Sequence, residues 1–94
     1  MPRYVIERDF AKIGDSDMEE IGARSKRVAT ERFPDITWEH SHVCIDAAGG
    51  VRSFCVYTAP NEQRLHEHAE ELGRHVVTNM YEIVGDVDPR EIAI

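Results

Sequence analysis

The apolar residues of this chain follow two different repeats. Four segments rich in β-branched and aromatic residues are typical of strands: "RYVIERDF" (3–10), "DITWEHSHVCI" (35–45), "VRSFCVYTA" (51–59) and "TNMYEIVGDV" (78–87). Two other segments carry apolar residues at helical spacing, one from about Asp17 to Arg32 and one from Asn61 to Leu72. The pattern therefore predicts the order β-α-β-β-α-β.

The boundaries of these elements carry recognisable signals. Ser16 with Glu19 three residues later has the form of a capping box, and Pro34 stops the first helix. Asn61 after Pro60 favours the start of the second helix, and Gly73 favours its end. The glycine-rich loop "DAAGG" predicts a hairpin between the second and third strands.

This order predicts an α+β, ferredoxin-like sandwich: a four-stranded antiparallel sheet with both helices on one face. We expect one domain over residues 1–94, with a short tail from about residue 88. The second face of such a sheet would be an uncovered patch that includes apolar side chains. A second copy stacked sheet to sheet is the simplest cover, so we expect a homodimer.

Charge and composition exclude several kinds of partner. The 94 residues carry a formal net charge of -7, which disfavours nucleic acid and anionic lipid surfaces. No stretch approaches the roughly 20 apolar residues of a membrane span, and "MPRYVIERDF" lacks the pattern of a signal peptide, so we expect a cytoplasmic protein. In a reducing compartment Cys44 and Cys55 are expected to remain free thiols.

Chemically active side chains are concentrated in the two central predicted strands. Strict alternation puts Trp38, His40, His42 and Cys44 on one face of the second strand. Its other face, together with Phe54 and Val56 of the third strand, would form the apolar floor beneath the helices. Cys55 and Tyr57 would then share the open face with the two histidines.

This arrangement makes the open face a candidate metal site. His40 and His42, as strand residues i and i+2, lie roughly 6.5 to 7 Å apart at Cα, close enough for two imidazoles to converge on one ion. Imidazole nitrogen suits nickel, zinc, copper and iron. Cys55, His68 and Tyr57 are the next candidate ligands. Because a ligand imidazole must be neutral, metal affinity should decrease as the pH falls.

Each of these residues also has a simpler interpretation. The histidine pair could form hydrogen bonds across a dimer interface, and Cys55 could be a small buried apolar residue. Tyr57 and Trp38 could be interface anchors. His68 could be a core histidine on the buried side of its helix.

Several short motifs together resemble a known family. They are "RYVIERDF" at the start, Trp38 followed by Ser41 and Val43, "CVYTAPNE" at 55–62, "HA" at 68–69, and Gly73. Over residues 4–89 the chain resembles a family of small ferredoxin-like proteins that includes the nickel-binding, nickel-responsive protein of actinobacteria. The resemblance implies a sheet-to-sheet homodimer that binds nickel through histidines and other side chains, with His40, Cys55 and His68 at family-like positions. His42 and the "GRH" segment at 73–75 depart from the family pattern.

We therefore expect a metal-binding protein, with Ni(II) as the first candidate and other transition metals as further ones, that acts in binding, buffering or response and not in catalysis. Two alternatives stay open at this point. One is a small dimeric α/β-barrel enzyme of the oxygenase or isomerase type, which rests on fold analogy. The other is a metal-free interaction module.

Overall fold

The order of elements matches the one predicted from the sequence. The computed structural model describes residues 1–93, so residue 94 of the predicted domain lies outside the described part. The strands are β1 (Arg3–Asp9), β2 (Thr37–Ile45), β3 (Val51–Thr58) and β4 (Val76–Ile83). The helices are α1 (Asp15–Arg32) and α2 (Glu62–Leu72), and a short 3₁₀ turn covers Pro89–Glu91.

The four strands form one antiparallel sheet in the order β2-β3-β1-β4. Helix α1 connects β1 to β2, and helix α2 connects β3 to β4; in both cases the two connected strands are not adjacent in the sheet. This is the split βαβ arrangement. The ferredoxin-like α+β fold is thus confirmed. No helix among residues 1–93 is long and apolar enough to cross a membrane.

The helix boundaries agree with the sequence except at the start of α1. Gly14 is the N-cap residue there and no side chain caps the helix, so the predicted capping box at Ser16 is wrong. Asp15 and Asp17 lie in the first turn, where negative charge is favourable. In α2, the Asn61 side chain accepts a hydrogen bond from the Arg64 backbone N–H at 3.0 Å, as predicted. Gly73 ends that helix with φ 66, a conformation that favours glycine.

The core lies between the helices and one face of the sheet. In β1 and β3 every second residue is buried, which is the signature of a half-covered sheet. One cluster joins Leu65 of α2 to Ile6, Cys55 and Tyr57 of the sheet. A second cluster joins Ile21 of α1 to Val51 and neighbouring apolar residues.

The faces of β3 are the reverse of those expected from the sequence. Cys55 and Tyr57 point toward the helices, whereas Phe54 and Val56 lie on the open face. Both faces of β3 carry apolar residues, so the strand alone gave no decisive pattern. Its pairing with β1 decides the matter, because Cys55 lies opposite the fully buried Ile6. Since the side-chain period is two, one such choice moves every residue of the strand to the other face.

Candidate metal centre

A β-bulge in β2 separates Trp38 from the histidines. Trp38 lies opposite Tyr57, whereas His40 lies opposite Val56. The step from one pair to the next is therefore two residues long in β2 but only one residue long in β3. Glu39 is the additional residue. A bulge reverses the alternation beyond it, and Trp38 therefore stacks on Tyr57 on the helix side with ring centroids 6.3 Å apart. The expectation that Trp38 shares a face with His40 is wrong.

Beyond the bulge, the expected grouping of His40, His42 and Cys44 holds. These residues lie opposite Val56, Phe54 and Arg52 respectively, on the face without helices. The His40 and His42 rings have centroids 5.4 Å apart and planes inclined by 76°. Both side chains are exposed, on a strand at the edge of the sheet. Two imidazoles are thus neighbours on an accessible surface.

A carboxylate lies beside this pair but has other partners. The Glu39 carboxylate accepts hydrogen bonds from Arg3 Nε at 3.0 Å and Nη2 at 3.2 Å, and from Thr58 Oγ1 at 2.9 Å. These bonds, first that from Arg3, lower the pKa of Glu39. The lowered pKa favours the ionised form of Glu39, which places a negative charge next to His40. To bind a metal it would have to exchange at least one of these donors.

The other three candidate ligands lie on the opposite side of the sheet. Cys55 is buried, with its Sγ 3.3 Å from Ser53 Oγ. Tyr57 packs against His68 of α2 with ring centroids 5.7 Å apart. The sheet thus separates Cys55, Tyr57 and His68 from His40 and His42. The five residues do not converge on one ion, and no group of three or more His, Cys, Asp or Glu side chains within residues 1–93 is arranged to hold a metal.

His68 has the character of a core residue. It is 0% exposed, and its ring meets that of Phe33 edge to face at 5.5 Å. Neither ring nitrogen has a hydrogen-bond partner among the described residues. Burial, and then the nearby charge of Arg8, lower the pKa of His68 to about 4. At neutral pH this imidazole is therefore uncharged.

Sequence reasoning missed a buried polar group beside these residues. Arg8 of β1 is 1% exposed; its Nη1 donates to Nε2 of His75 at 2.7 Å and its Nη2 donates to the Tyr57 hydroxyl at 3.4 Å. The second ring nitrogen of His75 lies 2.7 Å from the Gly73 carbonyl oxygen, to which it donates. Burial first, and Arg8 as well, lower the pKa of His75. Alternation in "RYVIERDF" could have indicated that Arg8 faces inward with Tyr4 and Ile6.

Comparison with protein families matches residues 4–83 to the family model described as "Nickel responsive protein SCO4226-like". The chain belongs to this family. The match covers most of the chain and includes both helices and all four strands except for Arg3 of β1, and it confirms the resemblance seen in the sequence. A comparison with curated proteins finds no match.

Among the solved structures that resemble this member of the SCO4226-like family are the following two. The crystal structure of SCO4226 from Streptomyces coelicolor A3(2) has a TM-score of 0.68 and 15% identity, covering 90% of this chain and 99% of that one. The solution structure of the C-terminal domain of the MgtC protein from Mycobacterium tuberculosis has a TM-score of 0.60 and 11% identity, covering 90% and 88% of the two chains. At these identities the likeness shows the fold alone.

Proposed function

We propose that this protein binds Ni(II) through His40 and His42 on the open face of its sheet, and serves in nickel binding, buffering or response. The observation that carries the proposal is the exposed imidazole pair, with ring centroids 5.4 Å apart. Two nitrogen donors of this kind suit nickel and leave other coordination positions free. Membership of the nickel-responsive family supports nickel as the ion.

The pair supplies only part of a coordination shell, so further donors are needed. Water can fill some positions, and a second copy of the chain facing this surface can fill others. Cys55, His68 and Tyr57 stay outside the proposed site, because the sheet lies between them and the histidine pair. Other first-row ions, above all copper, are expected to compete, since nitrogen donors do not by themselves select nickel.

A homodimer joined through the open faces is part of the proposal. This face carries Val5, Phe54 and Val56 near its centre, each only half-buried, and Tyr81, which is 60% exposed. Covering such a surface removes apolar area from water and so favours association. It would also bring the edge strand β2 close to side chains of the second chain.

Two free cysteines agree with a reducing, cytoplasmic location.

The experiment is a calorimetric titration of the purified, chelator-treated protein with Ni(II) at neutral pH. His40→Ala and His42→Ala are each expected to weaken binding at least about tenfold, since loss of a ligand should cost no less than loss of a supporting residue. His66→Ala is the matched control, because His66 is an exposed histidine on α2. Wild-type affinity in both sheet variants would contradict the assignment, as would an equal loss in the control.

A further inference from the structure

A cavity of about 350 Å³ lies between α1 and the helix side of the sheet, away from the histidine pair. This volume is within the range of small-molecule pockets, which begins at about 300 Å³. Its lining is mostly apolar and includes Met18 and Ile21 of α1 and Val43 of β2. Trp38, the single tryptophan of the chain, also lines it. The cavity therefore lies on the side of the sheet opposite the histidine pair and is separate from it.

The strand register shows which residues line the cavity from its open end to its buried end. Val43 of β2 lies opposite Ser53 of β3, and Ser53 lies opposite Arg8 of β1. Along this row the environment changes from exposed to buried: Val43 is 58% exposed and Arg8 is 1% exposed. The small Ser53 in the middle leaves room between them. The cavity thus extends from an open apolar edge at Val43 to a buried arginine, Arg8.

The buried guanidinium lacks a counter-ion within residues 1–93. Its two hydrogen-bonded partners, His75 and Tyr57, are neutral groups, and none of the ion pairs among the described residues involves Arg8. Buried charges in proteins are normally paired, because removing a charge from water is costly. Arg8 is among the residues that line the cavity, and so is Tyr57, whose hydroxyl accepts a hydrogen bond from Arg8 Nη2. An anionic group there would supply the missing opposite charge.

The surroundings limit the kind of anion. Asp15 and Glu19 of α1 are exposed and also line the cavity, and the whole chain carries a net charge of -7. A polyanion would be repelled by these charges, whereas one carboxylate can form a bidentate pair with a guanidinium. The apolar edge at Val43 and Ile45 favours a ligand whose remaining part is apolar.

From this geometry we infer that the cavity binds a small monocarboxylate with an apolar body, its carboxylate paired with Arg8 and its apolar part against β2 and α1. The ligand class is that of medium-chain or comparably sized apolar acids. This inference concerns a different surface from the nickel proposal and does not depend on it.

The test uses octanoate as the probe, with 1-octanol as its uncharged counterpart and inorganic phosphate as an anion without an apolar body. Calorimetry measures the affinities in the presence of chelator, so that the result is independent of metal. Trp38 fluorescence reports whether the probe occupies the cavity. Wild-type protein is expected to bind octanoate more tightly than either comparison compound, with a change in the Trp38 emission.

Two variants test the roles of charge and space. Arg8→Met should weaken octanoate binding about ten- to a hundredfold while leaving 1-octanol binding little changed, since it removes charge-assisted hydrogen bonds and keeps an apolar wall. Gly22→Leu should prevent binding of both, because Gly22 lines the cavity and has no atom within 4 Å of an added Cβ. Leucine also has a higher helix propensity than glycine, so this change should favour α1.

Arg27→Met is the control for Arg8→Met, since Arg27 is exposed on α1 and its removal changes the net charge equally. Circular dichroism checks that each variant is folded. The inference is overturned if wild-type protein does not bind octanoate, if it prefers phosphate, or if Gly22→Leu binds octanoate as wild-type protein does. Should Arg8→Met fail to fold, the wild-type preference for octanoate over 1-octanol and the result with Gly22→Leu still decide the question.

Discussion

The two faces of the sheet hold histidines in opposite situations. His68 lies on the helix side, fully enclosed beside Tyr57 and Phe33, and its pKa is lowered to about 4. His40 lies on the open face, exposed and beside a second imidazole. The same side chain is thus a neutral core group on one face and an accessible donor on the other. Position relative to the helices, and not residue type, decides which of these histidines are accessible from solvent.

The largest difference between the faces should appear in stability. Leu65 of α2 is fully buried in the helix-side core, so Leu65→Ala should lower the free energy of unfolding by roughly 2–5 kcal/mol. Val56 on the open face is half-buried, and Val56→Ala should cost about 1 kcal/mol or less when the protein is dilute. Urea unfolding at low protein concentration measures both. Equal losses would show that the open face is part of a core within one subunit.

Nickel should stabilise the protein through one face only. Free Ni(II) at about a hundred times its dissociation constant should raise the free energy of unfolding by about 2.7 kcal/mol. His40→Ala should lose most of this gain because the proposed site is on the open face. His68→Leu, on the helix side, should retain it. Urea unfolding measures this nickel-dependent stabilisation. If it is lost in His68→Leu and kept in His40→Ala, the metal site lies on the helix side of the sheet instead.

Acid should destabilise the protein through its buried histidine. His68 has a folded-state pKa near 4 and an ordinary value of 6.5. Below 6.5 the unfolded chain binds a proton that the folded protein does not, so the stability present above that pH is lost as the pH falls toward 4. Between pH 7 and 5 this should cost about 2 kcal/mol. His75, whose pKa is also lowered, acts in the same direction.

Urea unfolding across this pH range tests the assignment. His68→Leu should flatten the pH dependence, since it removes the buried titrating group and keeps an apolar side chain. His66→Leu is the control, because His66 is exposed on the same helix. An unchanged slope in His68→Leu would assign the pH dependence to other groups.

The smallest expected effect concerns association. Tyr81→Asp should raise the dissociation constant of the proposed dimer at least about tenfold, or about 1.4 kcal/mol, because a symmetric interface would bury the new carboxylate twice. Val87→Asp is the control, since Val87 is 82% exposed outside the sheet. Analytical ultracentrifugation measures both. A dimer that withstands Tyr81→Asp would place the interface on another surface.

Much of the fold could be predicted because the local signals agree with one another. The order of elements, the Asn61 cap and the Gly73 stop all follow from short-range chemistry. The start of α1 could not, since Ser16 and Glu19 have the spacing of a capping box but lie inside the helix. The first residue of a helix depends on the backbone path of the preceding loop. Packing of that loop against the rest of the protein fixes this path, so the local sequence does not determine it.

The candidate site was predicted only in part, because local patterns indicate some of its residues and not others. The grouping of His40 with His42 needs only the alternation of a strand, and it held. Trp38 was assigned to the wrong face because nothing in "WEHSHVC" indicates a bulge at Glu39. Cys55 and Tyr57 were assigned wrongly because β3 carries apolar residues on both faces.

The sequence by itself determined the strands, the helices, their order and the family, since these depend on periodicity, turn residues and motifs within short stretches of chain. Only the tertiary structure decided that Trp38, Cys55 and Tyr57 meet the helices, because the bulge and the strand register depend on pairing between residues far apart in the chain. That pairing separates His40 and His42 from Cys55, Tyr57 and His68. It also brings the buried Arg8 into the wall of a cavity shared with α1 and β2, a juxtaposition that no short stretch of the sequence indicates.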